Sequence, residues 1–324
     1  MQNRHPSGRR FFAYGEICTL AIKYNTMNYV TFLGPVGATF SHEAYNVLSK
    51  TYNAPSVDTD TGDALCLPTS TNREILGEIC KHSGYGSIAM ETVADARVTE
   101  SLEGFIALLQ NYDKLKIPGI SEGCPIHVIG AIRMELHFCL MVNPGVDLKC
   151  LQKVFAHPKA AGACKRRIEK NQLQVVEVTS NGEGARLVAE DAKYLNYASI
   201  GPKSAAQKYK LHILDENFED NQAITTFFLI APRIRKVSIG QENRALIVFR
   251  LEHQPGSLVR ALQPFADLNL IQIHSVHTGN HSYDFAIEID VKDHELPKFH
   301  EATIEFAKCV QRHLTFGPFQ VLSK

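Results

Sequence analysis

A run of strand-forming residues between positions 223 and 230 divides the chain into two parts. β-Branched and aromatic residues dominate the run, and such residues favour a strand. Asp220 and Asn221 give turn chemistry before it, and Pro232 with three cations at positions 233, 235 and 236 ends it. The pattern predicts the last strand of one domain, followed by a linker to a second domain.

Two hydroxyl residues, Thr225 and Thr226, lie where the polar turn meets the apolar run. Side chains of consecutive strand residues point to opposite faces of a sheet, so only one of the two can face a given pocket. Periodicity alone favours two ordinary strand threonines and does not choose between them.

The composition argues against several classes of function. The 324 residues suggest about two domains, and 44% hydrophobic residues can form sizeable cores. A formal net charge of zero gives no basis for binding nucleic acid or an anionic membrane, and no apolar run approaches the roughly 20 residues of a membrane span. The eight cysteines form no CxxC pair, which is typical of a cytoplasmic protein without disulfides or zinc.

Residues 1–27 are predicted to be a disordered extension outside the fold. Basic residues lie near their start, and their apolar stretch is too short for a secretory signal. An amphipathic targeting peptide and a later start at Met27 are the alternative interpretations.

The first half of the chain alternates predicted strands and helices, with polar residues where strands end. Residues 29–33 are predicted to form a buried strand, and Thr39 or Ser41 can cap the helix that follows. The start of such a helix suits a carboxylate ligand, because its backbone N–H groups and dipole point there. Glu91 and Thr92 lie at the end of a later strand.

The alternation of strands and helices begins again at Cys124, and polar residues again lie where strands end. One predicted strand runs into His157 and Pro158, although a lone His-Pro pair is more often structural than ligand-binding. Thr179 and Ser180 follow a later strand and can cap the helix behind it. This alternation predicts an α/β sheet with a ligand site at the carboxyl ends of its strands.

After the linker, the pattern changes to a compact βαββαβ order, which fits a small ferredoxin-like domain. Its predicted strands are 244–251, 270–277, 283–290 and 314–322, and its predicted helices end near 265 and 309.

Taken in order, these segments resemble the prephenate dehydratase family with a C-terminal ACT domain. The resemblance covers residues 28–324 and depends on the order and spacing of short motifs, none of which is specific alone. The motifs are the turn 34–37 with residues 39–41, Glu91, residues 98–103, His157 and Pro158 with Ala160 and Cys164, Thr179 and Ser180, residues 205–211, residues 220–228, and residues 255–259.

The resemblance implies an α/β fold in which a two-lobed domain, similar to periplasmic binding proteins, precedes a ferredoxin-like ACT domain. The dehydratase-like domain would span 28–232, with lobes of about 28–115 plus 205–232 and 124–204, and the ACT regulatory domain would span 240–324. The resemblance also implies a homodimer or homotetramer, and catalysis without a metal or organic cofactor.

Members of the family convert prephenate to phenylpyruvate with loss of water and CO2, in L-phenylalanine biosynthesis. The family's proton donor is the Thr of a Thr-Arg-Phe motif, which we align with Thr226, so that Phe227 takes the place of the Arg. Thr225 is then expected to face away from the pocket. The residues expected to bind substrate are Thr39, Ser41, Glu91, Thr92, His157, Lys159, Thr179, Ser180 and Phe227.

Several motif residues differ from the family pattern. Loss of the motif Arg removes charge-assisted hydrogen bonds worth roughly 1.5–3 kcal/mol each, and Lys159 is a candidate replacement cation. A branch of the superfamily that also lacks this Arg decarboxylates prephenate without expelling the hydroxyl. That decarboxylase activity and a non-catalytic, small-molecule-binding paralogue therefore stay open as alternatives to the dehydratase.

The ACT domain is expected to bind an amino-acid effector through a turn formed by Gly256, Ser257 and Leu258, together with Ser275. In the family the second of these segments carries an acid and a base, and here residues 274–277 lack both. The response to phenylalanine is therefore predicted to be weak or absent.

Overall fold

The computed structural model describes residues 28–57, 64–92, 99–111, 124–233, 239–279 and 282–323. The predicted extension 1–27 and most of the predicted linker lie outside the described residues, as do the side chains of Glu91 and Thr92. No helix within the described ranges is long and apolar enough to cross a membrane.

The described residues form fourteen strands and nine α-helices. The strands are β1 (Asn28–Thr31), β2 (Ala64–Cys66), β3 (Tyr85–Thr92), β4 (Ile126–Leu136), β5 (Cys139–Val142), β6 (Lys153–Ala156), β7 (Gln174–Glu177), β8 (Ala198–Gly201), β9 (His212–Asp215), β10 (Ala223–Pro232), β11 (Glu242–Arg250), β12 (Asn269–Gly279), β13 (Ser282–Lys292) and β14 (Arg312–Ser323). The helices are α1 (Phe40–Tyr52), α2 (Asn72–His82), α3 (Thr99–Gln110), α4 (Pro158–Ala163), α5 (Lys165–Lys170), α6 (Asn181–Glu190), α7 (Lys203–Tyr209), α8 (Ser257–Leu262) and α9 (Leu296–Ala307).

Two sheets give the molecule its two lobes. The first lobe occupies one end of a nine-stranded sheet of order β12-β13-β11-β14-β4-β10-β3-β1-β2, and the second lobe is a five-stranded sheet of order β7-β6-β8-β5-β9. The chain leaves the first sheet after β4 and returns to it as β10. The predicted two-lobed α/β class is therefore confirmed.

The boundaries of the lobes differ from those predicted. β4 was expected in the second lobe, but it lies in the first sheet because it pairs with β10 along ten residues of β10. β9 was expected in the first lobe, but it lies in the second sheet, where it pairs with β5. The restart of the hydrophobic pattern at Cys124 thus marks another strand of the first sheet.

The C-terminal domain has the predicted βαββαβ order, β11-α8-β12-β13-α9-β14. The end of β14 extends beyond its own domain and pairs in parallel with β4, where Val321 lies beside Ala131 and Leu322 beside Ile132. One sheet therefore runs through the C-terminal domain and the first lobe.

Different apolar cores cover the two faces of the first-lobe sheet. The core on the face towards the second lobe contains Phe227. The core on the opposite face combines Phe105 and Phe228 of the first lobe with Phe316 and Phe319 of the C-terminal domain. Ring centroids are 4.9 Å apart for Phe105 and Phe316, and 4.8 Å apart for Phe228 and Phe319. The second core fixes the C-terminal domain against the back of the first lobe.

A buried carboxylate adds a polar connection at this junction. Asp284 of β13 is fully buried and accepts hydrogen bonds from Nε and Nη2 of Arg250 at 2.7 and 2.8 Å. It also accepts one from Nε2 of Gln110, the last residue of α3, at 3.1 Å. Hydrogen bonds to a charged group are stronger than neutral ones, so Asp284 joins the helix firmly to the C-terminal domain.

Candidate active site in the interlobe cleft

A cavity of about 340 Å³ lies between the two lobes. Its apolar lining comes from Leu33, Phe40, Ala89, Leu136, Phe138, Pro158, Ala160, Ala163, Ala223 and Phe227. Its polar lining comes from Thr39, Ser41, Asn72, Glu100, His157, Lys159, Ser180, Asn181 and Thr225. Polar side chains placed among apolar ones in a cavity of this size are typical of a site for a small ligand.

Four helices begin at the wall of this cavity: α1 and α2 in the first lobe, and α4 and α6 in the second. The start of a helix has free backbone N–H groups and a partial positive charge, so it favours anions. Because the starts come from both lobes, a ligand with two anionic groups can contact both walls at once.

Side-chain caps determine where these four helices begin, and hydroxyl groups that line the cavity cap α1 and α6. Thr39 Oγ1 accepts a hydrogen bond from the N–H of His42 at 3.3 Å and donates one to the carbonyl of Leu33 at 2.8 Å. Ser180 Oγ accepts a hydrogen bond from the N–H of Glu183 at 3.1 Å. Thr39 and Ser180 both line the cavity, and each hydroxyl already serves as a cap.

His157 presents a neutral N–H group at the cavity. Its Nδ1 accepts a hydrogen bond from the backbone N–H of Lys159 at 3.2 Å, so the neutral ring carries its proton on Nε2. Burial lowers the pKa of His157 below its ordinary value of 6.5, while Glu100 opposes the shift and Lys159 adds to it. At neutral pH the ring is therefore an uncharged hydrogen-bond donor.

Asn181 connects two of the helix starts. Its Oδ1 accepts a hydrogen bond from the backbone N–H of His157 at 3.1 Å, which fixes the beginning of α4 relative to that of α6. The sequence analysis missed Asn181, and its position directly after the Ser180 cap was the one available signal. It also missed Asn72, which lies outside the matched motifs, and Glu100, which lies within the matched segment 98–103.

The described lining residues include one cation, Lys159 on α4, and one acid, Glu100 on α3. Lys159 can pair with a ligand carboxylate, which places the full positive charge of the site on the wall formed by the second lobe. In the described part of the chain, no group of three or more His, Cys, Asp or Glu side chains is arranged to hold a metal ion.

The structure reverses the prediction for the two strand threonines. Thr225 lines the cavity together with Ala223 and Phe227, whereas Thr226 lies on the opposite face of β10, with Phe228. Both threonines are 3% exposed, so burial does not distinguish them. A shift of one residue exchanges the two faces of a strand. With Thr225 as the cavity-facing threonine of the Thr-Arg-Phe motif, Thr226 takes the Arg position and Phe227 takes the Phe position.

The other predicted substrate-binding residues are only partly brought together. Glu91 and Thr92 are described by their backbone alone, which pairs with Thr226 and Thr225 on the neighbouring strand. Thr179 is not among the residues that line the cavity. Those that do line it are Thr39, Ser41, His157, Lys159, Ser180 and Phe227.

A smaller cavity of about 120 Å³ lies in the C-terminal domain, and its lining includes Ser257, Leu258 and Tyr283. Gly256 precedes α8 with a φ of +77°, a backbone conformation that glycine adopts without strain. Ser275 is exposed on β12 and lies outside the lining of this cavity. Two of the four predicted regulatory residues thus border one small site.

Sequence comparison connects the chain to a known family. A family model described as prephenate dehydratase matches residues 30–235. A prephenate dehydratase of Methanocaldococcus jannaschii is 30% identical to this chain over 223 residues, which cover 68% of this chain and 76% of that relative.

Solved structures share the fold. The structure of prephenate dehydratase from Arthrobacter aurescens in complex with L-Phe has a TM-score of 0.72 and 22% identity, and the match covers 90% of this chain and 89% of that one. GqqA, described as a novel type of quorum-quenching acylase, has a TM-score of 0.65 and 20% identity, with coverage of 92% and 98%. At these identities the likeness shows the fold alone, since one fold hosts different activities. The match to the family model and the archaeal relative shows that the chain belongs to the prephenate dehydratase family.

Proposed function

We propose that this protein is a prephenate dehydratase, which converts prephenate to phenylpyruvate with loss of CO2 and water. The observation that carries the proposal is the convergence of three kinds of group on one interlobe cavity. These are the Thr225 hydroxyl, the neutral His157, and the positive helix starts with Lys159. Family membership supplies the substrate, and the cavity supplies groups that suit it.

The reaction needs a proton donor at one end of the substrate. Breakage of the bond between the ring and its carboxylate releases CO2 and leaves an electron pair, which moves through the ring and makes it aromatic. The bond from the ring to its hydroxyl breaks at the same time, and the departing hydroxyl takes a proton and leaves as water. Thr225 is the hydroxyl of β10 on the cavity wall, so it is the proposed general acid.

The other walls suit the rest of the molecule. Lys159 and the helix starts of the second lobe attract the carboxylates, and the Nε2–H of His157 can donate to a carboxylate or ketone oxygen. Phe138 and Phe227 offer aromatic faces to the ring. An apolar wall also favours loss of the carboxylate charge as neutral CO2. The site thus combines charge recognition with a surrounding that promotes decarboxylation.

The test is to incubate the protein with prephenate and to identify the product. Phenylpyruvate, formed with one CO2 for each prephenate consumed, supports the dehydratase. A decarboxylated product that keeps its hydroxyl would replace it with the decarboxylase, and binding without any product would replace it with a small-molecule-binding protein.

The C-terminal domain is proposed to be an ACT regulatory domain that takes an amino-acid effector in its small cavity. The cavity lies at the turn where α8 begins, and the related protein of Arthrobacter aurescens was solved with L-Phe. The response to phenylalanine is expected to be weak, because residues 274–277 lack an acid and a base. Phenylalanine is titrated into the protein; calorimetry measures its binding, and the rate of prephenate turnover measures the response of the enzyme.

We also propose a homodimer or homotetramer that acts in the cytoplasm. β12 lies at the edge of the nine-stranded sheet, and an uncovered edge strand is available for pairing with another chain. The seven described cysteines are free thiols, which is in keeping with a reducing compartment. Light scattering at micromolar concentration gives the oligomeric state, and a monomer would contradict the first statement.

A further inference from the structure

One polar group in the cleft lacks a partner. Asn72 is the first residue of α2 and lines the interlobe cavity, yet it is only 7% exposed. Its Oδ1 atom is buried without a hydrogen-bond partner among the described residues. A buried acceptor that makes no hydrogen bond costs free energy, so its presence at a ligand cavity calls for an explanation.

The surrounding structure fixes the position of Asn72. Thr71 and Glu74 form a capping box at the start of α2: Thr71 Oγ1 accepts from the N–H of Glu74, and Glu74 Oε2 accepts from the N–H of Thr71. Because α2 begins at a defined residue, the backbone of Asn72 is held at the cavity wall, where the side chain is buried. The body of α2 packs in the same core as Phe228, on the opposite face of β10, and the start of the helix reaches the cavity. Asn72 and Thr225 both line this cavity, and both belong to the first lobe.

The chemistry of the substrate determines which of its groups can pair with this acceptor. At neutral pH the two carboxylates and the ketone of prephenate are acceptors only. The ring hydroxyl is the one group of prephenate that can donate a hydrogen bond. We infer that Asn72 Oδ1 accepts a hydrogen bond from the ring hydroxyl of the substrate, an inference that rests on the proposed function.

This contact gives the substrate a direction in the cleft. The hydroxyl end of the ring lies against the first lobe, at Asn72 and Thr225, and the carboxylates lie towards Lys159 and the start of α6 in the second lobe. When the hydroxyl hydrogen is directed at Asn72, the lone pairs of its oxygen remain available to the Thr225 hydroxyl. Asn72 thereby selects for a ring that carries a hydroxyl and orients it for proton transfer.

A substitution that removes the acceptor separates this role from a structural one. Asn72→Leu keeps the number and branching of the side-chain heavy atoms and removes the unpartnered group, so the unliganded protein should unfold at an equal or higher temperature. Its kcat/KM for prephenate should nevertheless fall by about tenfold or more, because the loss of one hydrogen bond to the substrate has about this effect. A purely structural asparagine would instead lower the unfolding temperature and the activity together.

Thr31 is the matched control. Its Oγ1 is also buried without a partner among the described residues, its side chain is 3% exposed, and it lies outside the cavity lining. Thr31→Val is isosteric and should raise or maintain the unfolding temperature without changing kcat/KM. A comparable loss of activity in both variants would overturn the role assigned to Asn72.

A binding measurement tests the same inference on the unaltered protein. The probe is the prephenate analogue in which hydrogen replaces the ring hydroxyl, compared with prephenate by calorimetry. The wild-type protein should bind prephenate about tenfold more tightly than the analogue, and Asn72→Leu should bind the two equally.

The outcomes separate this inference from the proposed function. Formation of phenylpyruvate by a protein that binds both compounds equally would overturn the role of Asn72 and leave the dehydratase standing. A preference for prephenate that depends on Asn72, without phenylpyruvate, would support the contact and overturn the dehydratase. Absence of both binding and turnover would overturn the two together.

Discussion

The two faces of strand β10 differ in what lies against them. On the face towards the second lobe, Thr225 and Phe227 border an open cavity. On the opposite face, next to Thr226, Phe228 packs against Phe319 of the C-terminal domain, with ring centroids 4.8 Å apart. Thr225 and Thr226 are adjacent and equally buried, but their surroundings differ. The surroundings decide which of the two can contact a ligand.

The comparison extends to the regions on either side of the sheet. The cleft side retains empty space and an unpartnered acceptor, Asn72, which are features that a ligand can use. At the back, the apolar core is continuous and Asp284 receives hydrogen bonds from Arg250 and Gln110. Functional sites commonly give up local stability in this way, while the rest of the molecule supplies it.

The largest difference between the faces is expected from the two threonines. Thr225→Val removes the proposed general acid and should reduce turnover of prephenate by about 10²–10⁴-fold. Thr226→Val is the matched control, with the same change of atoms and the same burial on the opposite face, and should retain most of the activity. Steady-state rates of phenylpyruvate formation measure both. A large loss in Thr226→Val with little in Thr225→Val would restore the motif alignment predicted from the sequence.

The two phenylalanines that follow should also differ in how much each contributes to the free energy of unfolding. Phe228→Ala removes a ring from a closed core and should destabilise the protein by about 3–5 kcal/mol. Phe227 borders a cavity and has fewer packing partners on that side, so Phe227→Ala should cost at least about 1 kcal/mol less. Urea denaturation gives both free energies of unfolding. Equal losses would show that the cavity face is packed as tightly as the back.

Because of His157, the free energy of unfolding of the protein should depend on pH. Its pKa in the folded protein lies below the ordinary 6.5, so the unfolded chain binds the proton more readily. The stabilisation that comes from keeping His157 neutral is fully present above about pH 6.5. As the pH falls towards the lowered pKa, this stabilisation is lost, and the free energy of unfolding decreases by at most about 1.4 kcal/mol per pH unit.

A variant that cannot titrate at this position isolates the effect. His157→Asn keeps an acceptor for the cap, so its free energy of unfolding should fall less than that of the wild type between about pH 7 and about pH 5. His300→Asn, at an exposed position on α9, is the control and should follow the wild type. Urea denaturation at each pH makes the comparison, and coincident profiles for all three proteins would refute the assignment.

The smallest effect is expected from the junction at the back. Gln110→Ala removes one of the hydrogen bonds to Asp284, and Arg250 still neutralises the carboxylate. The free energy of unfolding should fall by about 1 kcal/mol, with turnover of prephenate unchanged. Asn111→Ala, at the adjacent position, removes only a hydrogen bond to the carbonyl of Ala107 and serves as the control. A change in turnover with Gln110→Ala would show that the junction communicates with the cleft.

Much of the architecture follows from the sequence alone, because strands and helices are set by local patterns. The strand at 223–230, the helix caps Thr39 and Ser180, and the βαββαβ order after residue 240 are each a matter of neighbouring residues. The order of short motifs was likewise enough to identify the family, since spacing along the chain does not require knowledge of contacts. His157 and Lys159 reached the candidate site from the same local evidence.

Contacts between distant segments were decided only by the tertiary structure. Whether Thr225 or Thr226 faces the cleft depends on which side of the sheet the second lobe covers, and a single residue of misalignment reverses the answer. The membership of β4 in the first sheet follows from its pairing with β10, about a hundred residues later in the chain. Asn72 became a candidate for substrate binding because folding buries its Oδ1 atom at the cavity without a hydrogen-bond partner among the described residues. This burial comes from residues that are distant in the sequence, so no local pattern predicts it.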